Sequence, residues 1–170
     1  MTNQEGKVFT CSIDIVSKVI TTLIITFTVT LLIIPWVKFE ENTAGAALTC
    51  SITGVALVML MVITYGYSPR KYVIDGKNIK IKRIFGDKLI PASEIKLVRL
   101  PVNNEINWPI RTFGNGGLFG YTGRYYTGKI GNMQWYCSRR SNYVIILREG
   151  RPPVIISPDL PNEFIAEYYA

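Results

Sequence analysis

The chain has no histidine and only three cysteines among its 170 residues. The first absence removes the side chain that most often serves as a general base near neutral pH. Cys11, Cys50 and Cys137 are scattered with no C-x-x-C spacing, which argues against a disulfide scaffold and a zinc site. They read as small apolar fillers. Acids are sparse too. Beyond residue 68 there are eight: Asp75, Asp87, Glu94, Glu105, Glu149, Asp159, Glu163 and Glu167. Asp75 and Asp87 read as turn formers, and Asp159 stands where a helix begins. No serine or cysteine lies in an elbow motif. The chain therefore reads as non-enzymatic, with no catalytic residue, cofactor or metal expected.

The first third lacks charge over long stretches. Residues 19–37, VITTLIITFTVTLLIIPWV, carry none, and neither do residues 43–69, whose core at 47–67 reads ALTCSITGVALVMLMVITYGY. At 1.5 Å per residue the first run spans roughly 28 Å, close to the hydrocarbon thickness of a bilayer. Two transmembrane helices are expected, at about 15–37 and 46–67, joined as an antiparallel hairpin by the polar link 38–42, KFEEN. Trp36, Tyr65 and Tyr67 fall at span ends, where amphipathic rings suit the interface. Ala44, Ala47, Ser51 and Gly54 recur at three- or four-residue spacing and would let the helices approach closely. A cleaved signal peptide fits poorly, because the A-x-A site at 44–46 follows a run already too long for a signal core. No small-residue lipoprotein box precedes Cys11 or Cys50. A β domain of this size could not easily cover two all-apolar helices.

Charge separates the two parts of the chain. Residues 1–68 hold three bases and four acids, a net of −1, and the remainder holds 16 bases and eight acids, a net of +8. Lys7 and Lys18 precede the first span and Arg70 and Lys71 follow the second, while the link has one lysine beside two glutamates. The positive-inside rule then places both termini in the cytoplasm. A basic domain held beside a membrane favours an anionic lipid surface over nucleic acid.

From residue 72 the hydrophobic period changes to two. DGKN at 75–78 is a hairpin turn, and IKIKRI at 79–84 alternates apolar and basic residues as a half-buried strand does. Short strands follow near 89–90 and 96–102, and three more at 133–138, 143–147 and 153–156. Residues 103–131 are unusual, carrying seven of the 14 glycines with interspersed aromatics. The spacing of Phe164, Ile165 and Tyr168 predicts a C-terminal helix with one face on the sheet. The expected fold is thus a two-helix hairpin at 1–68 followed by a mainly-β domain at 69–170, about seven strands and a capping helix.

The phrases YVIDGKNIKIKRIFG (72–86), IPASEI (90–95), RTFGNGGLFGYTG (111–123) and ISPDLPNEFI (156–165) make the second part resemble the bacterial pleckstrin-homology (PH) domain family. That resemblance implies a PH-like barrel, two roughly perpendicular sheets closed by a helix, and a bacterial inner membrane as its site. It implies no particular ligand, since such folds bind lipids, peptides or proteins.

Two surfaces stand out as candidates. Arg70, Lys71, Lys80, Lys82 and Arg83 lie just past the second span and form a lipid-facing set, each base near an anionic leaflet contributing on the order of 1 kcal/mol. The competing reading is a solvated strand face with topogenic charges. Arg124, Tyr125, Tyr126, Trp135, Arg139 and Arg140 interleave bases with aromatics and form a candidate partner surface. The glycines at 114–120 lack the spacing of a phosphate loop and read instead as a bulged hairpin with φ > 0 or close packing. Three functions follow as expectations: protein-binding scaffold, anionic-headgroup sensor, or accessory subunit of a membrane transport or sensor complex.

Overall fold

In the computed structural model, residues 6–37 and 44–170 are described, so the expected link at 38–42 and the side chain of Trp36 lie outside the described residues. Helices α1 (Ile15–Val37) and α2 (Ala44–Tyr67) form the hairpin. Both are long and apolar enough to cross a membrane, and only 11% of each apolar window is buried inside the protein. Most of the surface of each helix is thus left uncovered by the other described residues. Gly54 faces Leu32, so close that a Cβ on Gly54 would meet Leu32 Cδ2 at 2.5 Å. The small residues thus serve close helix approach at Gly54. Hydroxyls in these helices bond to the preceding turn: Thr28 Oγ1 donates to Ile24 O, Thr53 Oγ1 to Thr49 O and Thr64 Oγ1 to Leu60 O, at 2.8 to 2.9 Å. A threonine-rich run is tolerable in lipid for this reason, because its polar groups are satisfied locally.

Ten strands are present among the described residues, against about seven expected. A four-stranded sheet holds β1 (Lys7–Thr10), β2 (Lys71–Asp75), β3 (Asn78–Lys82) and β4 (Lys88–Ile90) in that order. After a 3-10 turn come β5 (Ile95–Arg99), β6 (Ile110–Gly116), β7 (Tyr121–Thr127), β8 (Gly131–Cys137), β9 (Val144–Arg148) and β10 (Arg151–Ile156). They form a six-stranded sheet in the order β5-β9-β10-β8-β7-β6, antiparallel except where β10 lies parallel to β8. Helix α3 (Pro161–Tyr169) closes the domain.

The extra strands are β1, β6 and β7. β1 precedes the first helix yet pairs antiparallel with β2, with Phe9 opposite Tyr72. The chain on either side of the hairpin is therefore stitched into one sheet. Four residues give too short a period for sequence to reveal such a strand. β6 and β7 were hidden by glycine, which weakens any strand signal.

Two apolar clusters hold the domain. One lies between the sheets and under α3, with Tyr72, Ile79, Ile81, Ile146, Ile156 and Phe164 fully buried. The other lies on the opposite face of the six-stranded sheet, around Tyr121, Tyr125, Met133, Trp135, Ile145 and Ile155. β9 and β10 are buried on both faces, which explains their continuous apolar runs rather than alternation. The buried Tyr72 hydroxyl ties the sheets together, donating to Tyr136 O at 2.7 Å and accepting from Ser157 N at 3.2 Å.

Candidate functional site

The domain grips the base of the hairpin through side chains that the sequence scatters widely. Asp14 stands ahead of α1 and accepts from Ser17 N at 2.8 Å, an N-cap bond. It also accepts from the Tyr121 hydroxyl at 3.2 Å and from Arg140 N at 3.1 Å. Asp159 accepts from Ser12 N and Ser12 Oγ, each at 2.9 Å, and pairs with Arg139. Burial opposes ionisation of Asp159, but hydrogen bonds from Ser12 and Thr10, with the Arg139 charge, outweigh it and leave its carboxyl below the ordinary value. Cys11 donates weakly to Pro69 O at 3.4 Å, and burial pushes its thiol up to about 11, as suits a filler and not a nucleophile.

The glycine-rich turn between β6 and β7 is the second grip. Ser17 Oγ donates to Gly117 O at 2.6 Å, and Phe119 N donates to Thr21 Oγ1 at 3.1 Å. Gly117 has φ +138, and a Cβ there would meet Ile20 Cδ1 at 2.7 Å. The Phe119 ring meets Tyr65 of α2 edge-on, with centroids 5.0 Å apart. At the end of α2, Phe85 N donates to Gly66 O at 2.9 Å. These glycines are there for close packing and positive φ, as the bulged-hairpin reading expects.

The first candidate set divides in two. Lys71 lies directly opposite Lys82 on the outer face of the four-stranded sheet, and Lys80 is opposite Val73 on that same face. Lys82 is paired with Asp87 at 2.7 Å, which lowers the Asp87 carboxyl. Arg70 and Arg83 leave the lysines and stack on aromatic rings: Arg70 lies 4.2 Å from the Tyr65 centroid, and Arg83 lies 5.4 Å from that of Tyr67.

The second set is not one surface. Tyr125 and Trp135 are 1% and 0% exposed and stack on each other at 4.3 Å, so they are core and cannot meet a partner. The period of two turns them inward from their neighbours. Arg139 is engaged by Asp159, and Arg140 lies 4.8 Å over the Tyr121 ring. Arg124 and Tyr126 remain exposed. Tyr126 pairs across the sheet with Ile110, and the two are 42% and 66% exposed. Trp108, just ahead of β6, is 87% exposed. β6 ends its sheet, so this apolar patch sits at a free edge. Trp108 is one of the aromatics interspersed in the glycine-rich stretch, a set the sequence leaves open between core and exposed contact surface, whereas Ile110 carries no signal of its own.

A groove of about 840 Å³ separates the hairpin from the face of β6, β7 and β8 that carries Thr122, Gln134 and Tyr136. Ile20, Ile24, Leu60 and Ile63 form its helix wall. Phe113, Thr122, Gln134 and Tyr136 line the sheet side, together with three arginines, Arg83, Arg111 and Arg124. Register explains the sheet side: Thr122 is opposite Tyr136, and Arg124 is opposite both Gln134 and Phe113. The same face continues into the first core at β10, where Val154 is opposite Gln134. One face of the six-stranded sheet is thus covered partly by the other sheet and partly by the hairpin. Arg111 and Phe113 belong to the sequence phrase RTFGNGG, whose alternation about a short strand was the available signal.

With this geometry in view, comparison with known proteins gives one match. The family model for the bacterial PH domain matches residues 70–169, more than half of the chain and all of the domain except β1. No curated protein and no solved structure gives a significant match.

Proposed function

The chain belongs to the bacterial PH domain family, and from this premise we propose that it is a non-enzymatic, membrane-anchored interaction module that binds a protein partner. The hairpin spans the bacterial inner membrane, with residues 69–170 and the N-terminal flank on the cytoplasmic side. Lys7, Lys18, Arg70 and Lys71 beside the two helix ends support that orientation. Alkylation of single-cysteine variants in intact cells tests it. A cysteine at Lys77 should react only after the inner membrane is permeabilised, whereas one at Asn42 should react before. The opposite pattern would invert the topology.

The observation that carries the binding role is the apolar patch of Trp108, Ile110 and Tyr126 at the free edge of β6. Aromatic and aliphatic side chains flanked by arginine are the usual composition of contact surfaces. An unpaired edge strand also offers backbone groups to a partner. Docking of the hairpin base holds this edge in a set orientation to the bilayer. A photo-crosslinker at Tyr126 in native membranes should capture one defined protein, or a second copy of the chain, and Ile110→Asp should reduce that capture at least tenfold. Labelling of lipid alone, or capture indifferent to Ile110→Asp, would remove the protein-binding reading.

Anionic-headgroup sensing is favoured by a separate observation, the outward Lys71, Lys80 and Lys82. These bases orient an already anchored domain and do not recruit it.

A further inference from the structure

The groove between the hairpin and the β6–β8 face sets two different chemistries on facing walls. Its helix side is aliphatic and belongs to the same helices that are long and apolar enough to cross a membrane. Ile24 lies nine residues into α1, counting 15 to 24, and Leu60 lies seven residues before the end of α2, counting 60 to 67. At 1.5 Å per residue both are on the order of 10 Å along the helices from the domain. The helix wall of the groove therefore lies within the apolar spans, which in a bilayer are surrounded by lipid.

Its sheet side carries charge of one sign. Arg83, Arg111 and Arg124 line it, and among the described residues no aspartate or glutamate does. The ion pairs among the described residues use Lys7, Lys82, Arg99, Arg139, Arg148 and Arg151, so none neutralises these three. Arg83 is held in place, its Nε donating to Gly86 O at 2.8 Å and its guanidinium lying over Tyr67 and Tyr136. Arg111 lies across Gly116, where a Cβ would meet Arg111 Nη1 at 2.7 Å. Guanidinium groups present paired donors that match phosphate oxygens, and they are most effective where water is partly excluded.

We propose that this groove seats one anionic phospholipid of the surrounding membrane, its phosphate held by Arg83, Arg111 and Arg124 and its acyl chains lying along Ile20, Ile24, Leu60 and Ile63. The inference rests on the reading that the hairpin spans the bilayer, and not on the β6 partner surface. The lysine face does not compete for the role. Lys71, Lys80 and Lys82 stand on an outward sheet face, and Lys82 is already paired with Asp87. Such a face attracts an anionic leaflet diffusely. The groove has the volume of a site for a discrete molecule, within the range of roughly 300–1,000 Å³ usual for ligand pockets.

The test uses the full-length protein, purified in detergent and delipidated, with phosphatidylglycerol or phosphatidylcholine added back and bound lipid counted by native mass spectrometry. One phosphatidylglycerol should be retained at least tenfold more tightly than phosphatidylcholine. Arg111→Gln with Arg124→Gln should erase that preference. Both residues are exposed, so the variant should fold, and an unchanged elution profile checks this. Lys71→Gln with Lys80→Gln should leave retention as it was. Ile63→Trp narrows the groove, keeps every charge and should weaken binding about tenfold. Equal retention of the two lipids, loss in the lysine variant instead of the arginine variant, or indifference to Ile63→Trp would overturn the proposal. Complete displacement of the bound phosphatidylglycerol by millimolar inorganic phosphate would also overturn it, by showing that the chains contribute nothing. A full-length protein that stays in a high-speed supernatant without detergent would instead refute the spanning reading. Loss of protein capture in Ile110→Asp with lipid retention intact would keep the two surfaces apart.

Discussion

Gly123→Val should cost more than about 3 kcal/mol and lower the melting temperature of the detergent-solubilised protein by roughly 10 °C. Gly123 and Gly114 face each other across β6 and β7, with φ of +131 and +104. L side chains rarely adopt that backbone region, and forcing one there costs about 1–3 kcal/mol. The space is closed as well. A Cβ on Gly123 would run into Phe113 O and would meet Gly114 Cα at 2.8 Å, and both obstacles are backbone. No rotamer change relieves a backbone clash, so the hairpin must separate. Its separation would release the Gly117 and Phe119 contacts with α1, so the damage should reach the hairpin dock. Gly128→Ala is the control, since Gly128 has open space around it and should change little. A Gly123→Val protein that melts with the Gly128→Ala protein would show that the close crossing of β6 and β7 is not required.

Trp135→Ala should be comparably severe, at about 3–5 kcal/mol, because it empties the centre of the second core. Trp135 is fully buried, stacked on Tyr125 at 4.3 Å and tilted against Tyr143 at 5.3 Å. Its indole Nε1 is buried and has no hydrogen-bond partner among the described residues. Leaving such a donor unmade costs about 1–3 kcal/mol, and phenylalanine removes it. Trp135→Phe should therefore lose much less than Trp135→Ala, and less than its lost volume implies. Thermal unfolding of the three proteins side by side decides the matter. If phenylalanine is as damaging as alanine, the unpaired indole carries no penalty and shape alone governs the site.

The two predictions fall on residues of different legibility. Trp135 lies in MQWYCS, a run whose strand character is plain in the sequence, but its inward direction is not. Reading Trp135 with Arg139 and Arg140 as an outer surface fails because alternation sets Tyr125 and Trp135 inward, and only register reveals which parity faces the core. Gly123 lies in a stretch whose glycine content conceals two strands. The glycines themselves were legible as sites of positive φ or close approach, but what they approach was not.

Residues far apart in sequence make the groove and the dock. Arg83, Arg111 and Arg124 come from three places in the chain, and nothing in their spacing links them. Ser17 and Gly117 are 100 positions apart and share a hydrogen bond. β1 joins β2 across the whole hairpin, a pairing of four residues that no local pattern announces.

By itself the sequence determined the two apolar helices, the period-two domain behind them, the closing helix and the family, because each is written in local composition or periodicity. Tertiary structure alone decided which side of each strand is buried, that the N-terminal flank completes a sheet, and that three arginines face the hairpin across one groove. Those outcomes depend on register and on contacts between distant segments, and local hydrophobic pattern carries neither.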